Sequence, residues 1–157
     1  MIMPENYHYF YDQYYNDVET LKERYDKIPD PHIVAIYRGG FPLGVHLSNI
    51  LKCPLSLVKY QSRDGEDHKA EWLLNLTDDK KLHSKFFPEL IVVDDIYDTG
   101  KTMKKVMQFL SYWRADKIQG FCLYGKKNNL NVSYANEHKG HWIVFPWEEM
   151  GDARESF

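Results

Sequence analysis

The segment Leu90-Ile91-Val92-Val93-Asp94-Asp95-Ile96-Tyr97-Asp98-Thr99-Gly100-Lys101-Thr102 joins an apolar run to two carboxylates and then to a Thr-Gly-Lys-Thr turn. An uninterrupted, β-branched run of this kind reads as a strand buried on both faces. Met103, Val106, Met107, Leu110 and Trp113 follow on one helical stripe, so the turn opens a helix. Backbone N–H groups at that helix start, the Thr99 and Thr102 hydroxyls and the positive end of the helix dipole form a cradle for a phosphate monoester. Gly100 lets the anion approach the backbone. Asp94 and Asp95 would face the rest of the same ligand, accepting hydrogen bonds from sugar hydroxyls and holding a divalent metal. Gly100-Lys101-Thr102 also reads as the end of a Walker A loop, but that motif needs glycine where Asp95 stands, which disfavours a P-loop kinase. Helix capping alone would account for one or two of these acids, not for Asp94, Asp95 and Asp98 together.

Outward from this segment, strand and helix patterns alternate. Asn16 and Glu19 form a capping-box pattern, and Val18, Leu21 and Tyr25 recur at helical spacing, so a first helix is expected to start near Asn16 and end before Pro29. His32 to Tyr37 reads as a buried strand closed by Arg38-Gly39-Gly40. Leu43, Leu47, Ile50 and Leu51 share a helical face, and Leu55 to Tyr60 is extended. Gln61 to Ala70 is polar and aperiodic, a surface loop. Trp72 to Leu76, Ile118 to Tyr124 and Trp142 to Phe145 read as further strands. This alternation predicts an α/β fold with a parallel sheet and a ligand beyond the strands' carboxyl ends. The aromatic tract Tyr7-His8-Tyr9-Phe10-Tyr11 is read as core or subunit packing.

Composition narrows the function. The chain has 157 residues, 20 Lys+Arg, 23 Asp+Glu and a net charge of -3. That is enough for one domain with a real core, and it argues against a surface that coats nucleic acid. The longest stretch without Asp, Glu, Lys or Arg, Gly39 to Leu51, is shorter than the roughly 20 residues of a membrane span. The amino terminus lacks the basic and apolar regions of a secretory signal, so a cytoplasmic protein is expected. Cys53 and Cys122, far apart in apolar surroundings, read as buried thiols.

The Asp-Asp-x-x-Asp-Thr-Gly-x-Thr pattern after a strand resembles the 5-phosphoribosyl 1-pyrophosphate (PRPP) binding motif of the type I phosphoribosyltransferases. Ala35-Ile36-Tyr37-Arg38-Gly39-Gly40 resembles the family's pyrophosphate loop, with an extended, often cis, peptide at Tyr37-Arg38. Trp142-Ile143-Val144-Phe145-Pro146-Trp147-Glu148 is similar to the C-terminal segment of the bacterial xanthine-guanine and archaeal purine enzymes. Together these cover roughly residues 14 to 150 in the family's order.

The resemblance implies a Rossmann-like parallel-sheet core with a small hood in a single domain over residues 1–157. The hood's base-binding segment would be about 126–150, and an active-site loop that closes over PRPP about 61–71, with Arg63 and Lys69 as its cations. Asp94, Asp95, Asp98, Thr99, Gly100, Lys101 and Thr102 would bind PRPP, with Asp95 the partner of Mg2+. Asp98 would face N7 of a purine and accept its proton. Tyr37, Arg38, Gly39 and Gly40 would hold pyrophosphate, where a guanidinium fork suits the leaving group.

On the base side, the resemblance gives Lys126 to the 6-oxo group, although Lys127 next to it leaves the register open. It places Trp142 against the purine face, Ile143 at the base edge through its backbone, and Glu148 near the 2-position and a second Mg2+. The family commonly carries Asp where Glu148 stands. The implied reaction joins a 6-oxopurine base to PRPP, giving a purine nucleoside 5′-monophosphate and pyrophosphate. A homo-oligomer, dimer or tetramer, without nucleic-acid or membrane partners, goes with it. The competing readings are a non-catalytic sensor of PRPP or nucleotide on the same fold, and an enzyme for a pyrimidine base.

Overall fold

In the computed structural model, which describes residues 5–60, 69–74, 87–112 and 115–148, the segments quoted above converge on one sheet. In chain order the elements are β1 (Asn6–His8), α1 (Tyr11–Tyr25), β2 (Pro31–Tyr37), α2 (Phe41–Leu51), β3 (Leu55–Lys59) and β4 (Glu71–Leu74). β5 (Phe87–Ile96), α3 (Lys101–Leu110), β6 (Ala115–Gly125), β7 (Val132–Glu137), β8 (Trp142–Val144) and a 3-10 turn (Pro146–Glu148) complete them. The main sheet has six strands in the order β4-β3-β2-β5-β6-β7. All its pairings are parallel except β3 with β4 at one edge.

Side-chain alternation splits the core into two layers. Ile33 and Ala35 of β2, Ile91 and Val93 of β5, and Phe121 and Leu123 of β6 point to one face, where α1 and α2 cover them with Val18, Leu21, Leu43 and Leu47. Val34, Ile36, Leu90, Val92 and Cys122 point to the other, under Met103, Val106 and Leu110 of α3. This period of two is what a strand covered on both faces needs. β2 lies between β3 and β5, with Ala35 paired to Val93. The chain order therefore reverses between β2 and β5, which opens a crevice at their carboxyl ends.

Three local features differ from the sequence expectation. The first helix begins at Tyr11, not near Asn16. The Asn16/Glu19 pattern lies inside it, Thr20 Oγ1 donates to the Asn16 carbonyl at 3.1 Å, and the N-cap Phe10 makes no side-chain cap. Packing of Tyr14, Val18, Leu21 and Tyr25 on the sheet outweighs a local cap. The second difference is β7, which runs parallel to β6 without a helix between them. Asn128 organises the short return: its Nδ2 donates to the carbonyls of Lys126 and Val132, each at 2.9 Å, and its Oδ1 accepts from the amides of Leu130 and Val132.

The third is β1, which pairs in parallel with β8 as a second, two-stranded sheet, so the hood takes a strand from the opposite end of the chain. The aromatic tract accordingly divides. Tyr9 is fully buried, edge-on to Tyr124 and Phe145, and its hydroxyl donates to Asp17, whereas Tyr7, Phe10 and Tyr11 are exposed.

Cys122 is buried, Cys53 half-buried, and both are free thiols. Trp113 and most of the 61–71 segment, Arg63 included, lie outside the described residues. Lys69 is within them and exposed. No helix among the described residues is long and apolar enough to cross a membrane.

Candidate active site

The crevice between β2 and β5 is closed by two glycines. A Cβ on Gly39 would fall on the carboxylate of Asp95, and one on Gly40 would fall on the Val93 carbonyl oxygen. The loop can therefore lie directly on the end of β5 only because both positions lack a side chain. The Tyr37-Arg38 peptide is cis. Gly40 caps α2, and its N–H donates to the Ile36 carbonyl at 2.8 Å, so this amide is not available to an anion. The loop also carries the Gly39 amide and the Arg38 guanidinium, whose residue is exposed along with Tyr37.

Asp94 and Asp95 stand half-buried at the end of β5. Asp94 Oδ1 accepts from the Asp95 amide at 2.9 Å, and Asp95 Oδ1 accepts from the Ile96 amide at 2.7 Å. Burial pushes both carboxyls above the usual carboxylate range, Asp94 furthest because the Asp95 charge adds to it. Such a pair has much to gain from cationic or hydroxyl partners. Among the described residues no three His, Cys, Asp or Glu side chains converge on a metal position. Two hard oxygen donors at one strand end nevertheless fit Mg2+, which binds through one or two carboxylates while substrate phosphates and water fill its octahedron.

Gly100 takes φ +80° as the N-cap of α3, and a Cβ there would meet the Tyr97 hydroxyl. Its freedom is thus needed for the turn itself and for the Tyr97 ring, in addition to any approach by an anion. Tyr97 is anchored through its amide to the Tyr124 carbonyl at 2.8 Å. Thr99 is exposed and Thr102 half-buried in the first turn, and Thr99 Oγ1 accepts from the Lys101 amide at 3.4 Å. A cleft of about 490 Å³ flanks this turn, lined in part by Tyr97, Thr99, Lys101, Lys104, Lys105 and Asn129. Its lysines and the helix start favour an anion.

On the far side, Lys126 at the end of β6 reaches Asp98, its Nζ 2.8 Å from Oδ1. His138, just past β7, places Nε2 3.7 Å from the same oxygen. The hydrogen bond from Lys126, then the charges of Lys126 and His138, hold the exposed Asp98 carboxyl below the usual range. Trp142 is half-exposed on β8, whereas the Ile143 side chain is buried. The Tyr9 amide donates to the Val144 carbonyl at 3.0 Å. With the register of β1 on β8, ladder alternation turns the backbones of Trp142 and Val144 toward β1 and leaves the Ile143 N–H and C=O on the opposite edge. Glu148 is turned inward: its Oε2 accepts the Phe145 amide at 2.9 Å, and burial raises its pKa.

The structure therefore gathers Asp94, Asp95, Arg38 and Gly39 at the crevice, Thr99 to Thr102 at the helix start, and Asp98 with Lys126 opposite. His138 and Tyr97 were not legible in the sequence. Neither belongs to a spacing that marks it, and His138 sits in a polar run.

A family model described as phosphoribosyl transferase domain matches residues 11–153. Among solved structures, purine phosphoribosyltransferase from Pyrococcus horikoshii is similar at 26% identity and TM-score 0.73, over 91% of this chain and 93% of that one. Xanthine-guanine-hypoxanthine phosphoribosyltransferase of Helicobacter pylori shares the fold at 23% identity and TM-score 0.73, over 92% and 94%. Orotate phosphoribosyltransferase from Aeropyrum pernix shares it at 17% identity and TM-score 0.56, over 82% and 73%. No curated protein matches the chain.

Proposed function

The chain belongs to the phosphoribosyl transferase domain family, a type I phosphoribosyltransferase, and from that premise we propose that it transfers the 5-phosphoribosyl group of PRPP to a 6-oxopurine. Hypoxanthine, guanine or xanthine would give the purine nucleoside 5′-monophosphate and pyrophosphate. The observation that carries the choice of base is the Lys126–Asp98 pair, 2.8 Å apart at the mouth of the site. It sets a hydrogen-bond donor beside an acceptor. A 6-oxopurine presents the complement, an acceptor at its 6-oxo group next to N7–H. Adenine would set an amino donor against the ammonium.

In this reading Thr99 to Thr102 hold the 5′-phosphate through the helix start, and Asp94 and Asp95 hold the ribose hydroxyls. Arg38 and the Gly39 amide take the pyrophosphate, with Tyr37 and Gly40 shaping the loop. Asp95 would help hold a Mg2+ ion arriving with PRPP, and that ion would supply charge neutralisation for the pyrophosphate. Trp142 stacks on the base, the free backbone edge of Ile143 reads it, and Glu148 stands toward its 2-position. Asp98 takes the N7 proton as N9 attacks the anomeric carbon. The same reading carries a cytoplasmic setting and a homo-oligomer.

The test is incubation with PRPP, Mg2+ and, separately, hypoxanthine, guanine, xanthine, adenine, uracil and orotate. Nucleotide is expected from 6-oxopurines and not from adenine or the pyrimidines. Product only from a pyrimidine would overturn the choice of base. Tight PRPP binding without product from any base would favour a sensor.

A further inference from the structure

Lys126 and His138 both meet Asp98 on Oδ1, and no described residue bonds Oδ2. The two are held very differently. The Lys126 side chain is 44% exposed on a flexible stem, whereas that of His138 is 8% exposed. The His138 amide also donates to the Gly125 carbonyl at 2.7 Å, which fixes its backbone to the end of β6. Its Nδ1 is buried without a hydrogen-bond partner among the described residues. Its Nε2, at 3.7 Å from Asp98, stops short of a hydrogen bond. Closing the Asp98 turn by roughly half an ångström would bring Nε2 into hydrogen-bond range of Oδ1.

We propose that His138 is a positioning residue that orients Asp98 for proton transfer. It holds Oδ1 from the buried side, so that Oδ2 is the oxygen presented to the base. It also keeps that orientation while Lys126 shares its donors with the base's oxygen. The proposal rests on the reading that Asp98 accepts the purine proton. In that step the N7–H bond breaks and its proton goes to Oδ2. The electron pair stays on the purine, N9 forms the bond to the anomeric carbon, and pyrophosphate leaves with the pair of the broken C–O bond. His138 neither gains nor loses a proton. The charged side chains that face it are Asp98 and, across the same oxygen, Lys126. Its chain neighbours Glu137 and Lys139 are exposed.

Two measurements test this. In kinetics, His138→Ala should lower kcat roughly ten- to a hundredfold, the scale of a small misplacement of a catalytic group. KM for PRPP should stay within about twofold, because the phosphate contacts are untouched. His138→Gln, whose amide can reach the position of Nε2, should recover most of the rate. An Ala variant at wild-type kcat, or a Gln variant as slow as Ala in a protein of unchanged Tm, would overturn the role.

The second measurement needs no substrate. In NMR spectra of the full chain at one fixed pH, the His138 imidazole resonances should move in Asp98→Asn relative to wild type, since the carboxylate beside Nε2 has been replaced. Unchanged His138 resonances in well-folded Asp98→Asn would overturn the contact itself. Failure of the wild-type protein to make any nucleotide would instead overturn the chemistry assigned to Asp98, and the positioning role with it.

Discussion

Lys126 Nζ lies 2.8 Å from Asp98 Oδ1, a contact between residues 28 apart in the chain that joins the end of β6 to the turn after β5. The pairing keeps Asp98 ionised to lower pH than a free carboxylate. In the proposed reaction it would also set the donor and the acceptor for a 6-oxopurine side by side.

Asp98→Asn keeps the shape of the side chain but cannot take a proton, and loss of a general base typically costs about 10²- to 10⁴-fold in rate. A fall in kcat of that size is expected with PRPP affinity little changed. In Lys126→Gln the carboxyl loses the partner that lowers its pKa, so the acid limb of kcat/KM should move to higher pH. Wild-type kcat in Asp98→Asn, with chemistry shown to limit turnover, would leave Asp98 only as the ion-pair partner of Lys126 in the turn before α3.

The two loop glycines should separate function from folding. The atoms nearest an alanine methyl at Gly39 belong to the Asp95 carboxylate, a side chain that can give way at the expense of its bond from the Ile96 amide. Gly39→Ala is therefore expected to cost less stability than Gly40→Ala and to raise KM for PRPP. At Gly40 the methyl would meet the Val93 carbonyl, which is backbone and cannot step aside. Overpacking of this kind costs about 1–3 kcal/mol, and each kcal/mol lowers Tm by roughly 2–4 °C at this chain length. Thermal unfolding of both variants, beside their PRPP kinetics, checks the contrast.

Turnover should require Mg2+, with Mn2+ able to replace it, because the multiply charged pyrophosphate must be neutralised as it departs. Full activity in excess EDTA would contradict this. Calorimetry should find little Mg2+ binding until PRPP is present, since two carboxylates make an incomplete site.

Trp142→Ala should mainly raise KM for the base. Stacking on an aromatic side chain is worth roughly 1–3 kcal/mol, about 5- to 150-fold in affinity. Ile143→Val, which leaves the backbone edge intact, should be nearly silent. Equal KM values for Trp142→Ala and wild type would remove the stacking role.

His32 of β2 is buried with Nε2 2.8 Å from Ser56 Oγ of the neighbouring β3, and burial pushes its pKa down to about 4. Above pH ~6.5 both folded and unfolded chains hold it neutral. Between that pH and about 4 the unfolded chain takes up a proton that the folded one refuses, so stability is lost as pH falls through this window. The loss should approach a limit of order 3 kcal/mol. Urea unfolding at pH 7 and pH 4.5 should show it in wild type, and to a clearly smaller degree in His32→Gln. A pH dependence identical in the two proteins would sink the assignment.

Local sequence determined much of this molecule. The β-branched runs at His32 to Tyr37 and Leu90 to Val93 are strands whatever surrounds them, because uninterrupted apolar runs of that length must be covered on both faces. The Thr99 to Thr102 turn marks its own helix start. The Arg38-Gly39-Gly40 loop and the Asp94-Asp95 pair were each visible as strand ends.

The tertiary structure alone decided what those ends meet. No local pattern indicates that Gly39 must be bare because Asp95 lies on it, since that follows from β2 pairing with β5. Nor does one indicate that β1 would hold Trp142 to Val144 so that Ile143 keeps a free backbone edge. The capping-box pattern at Asn16 misplaced the start of α1 because sheet packing outweighs a single cap. His138 carries no sequence signal at all, since its proximity to Asp98 exists only once β7 has returned beside β6. Short-range chemistry fixes elements through residues a few positions apart. The site depends on residues far apart in sequence, which only the pairing of strands brings within reach.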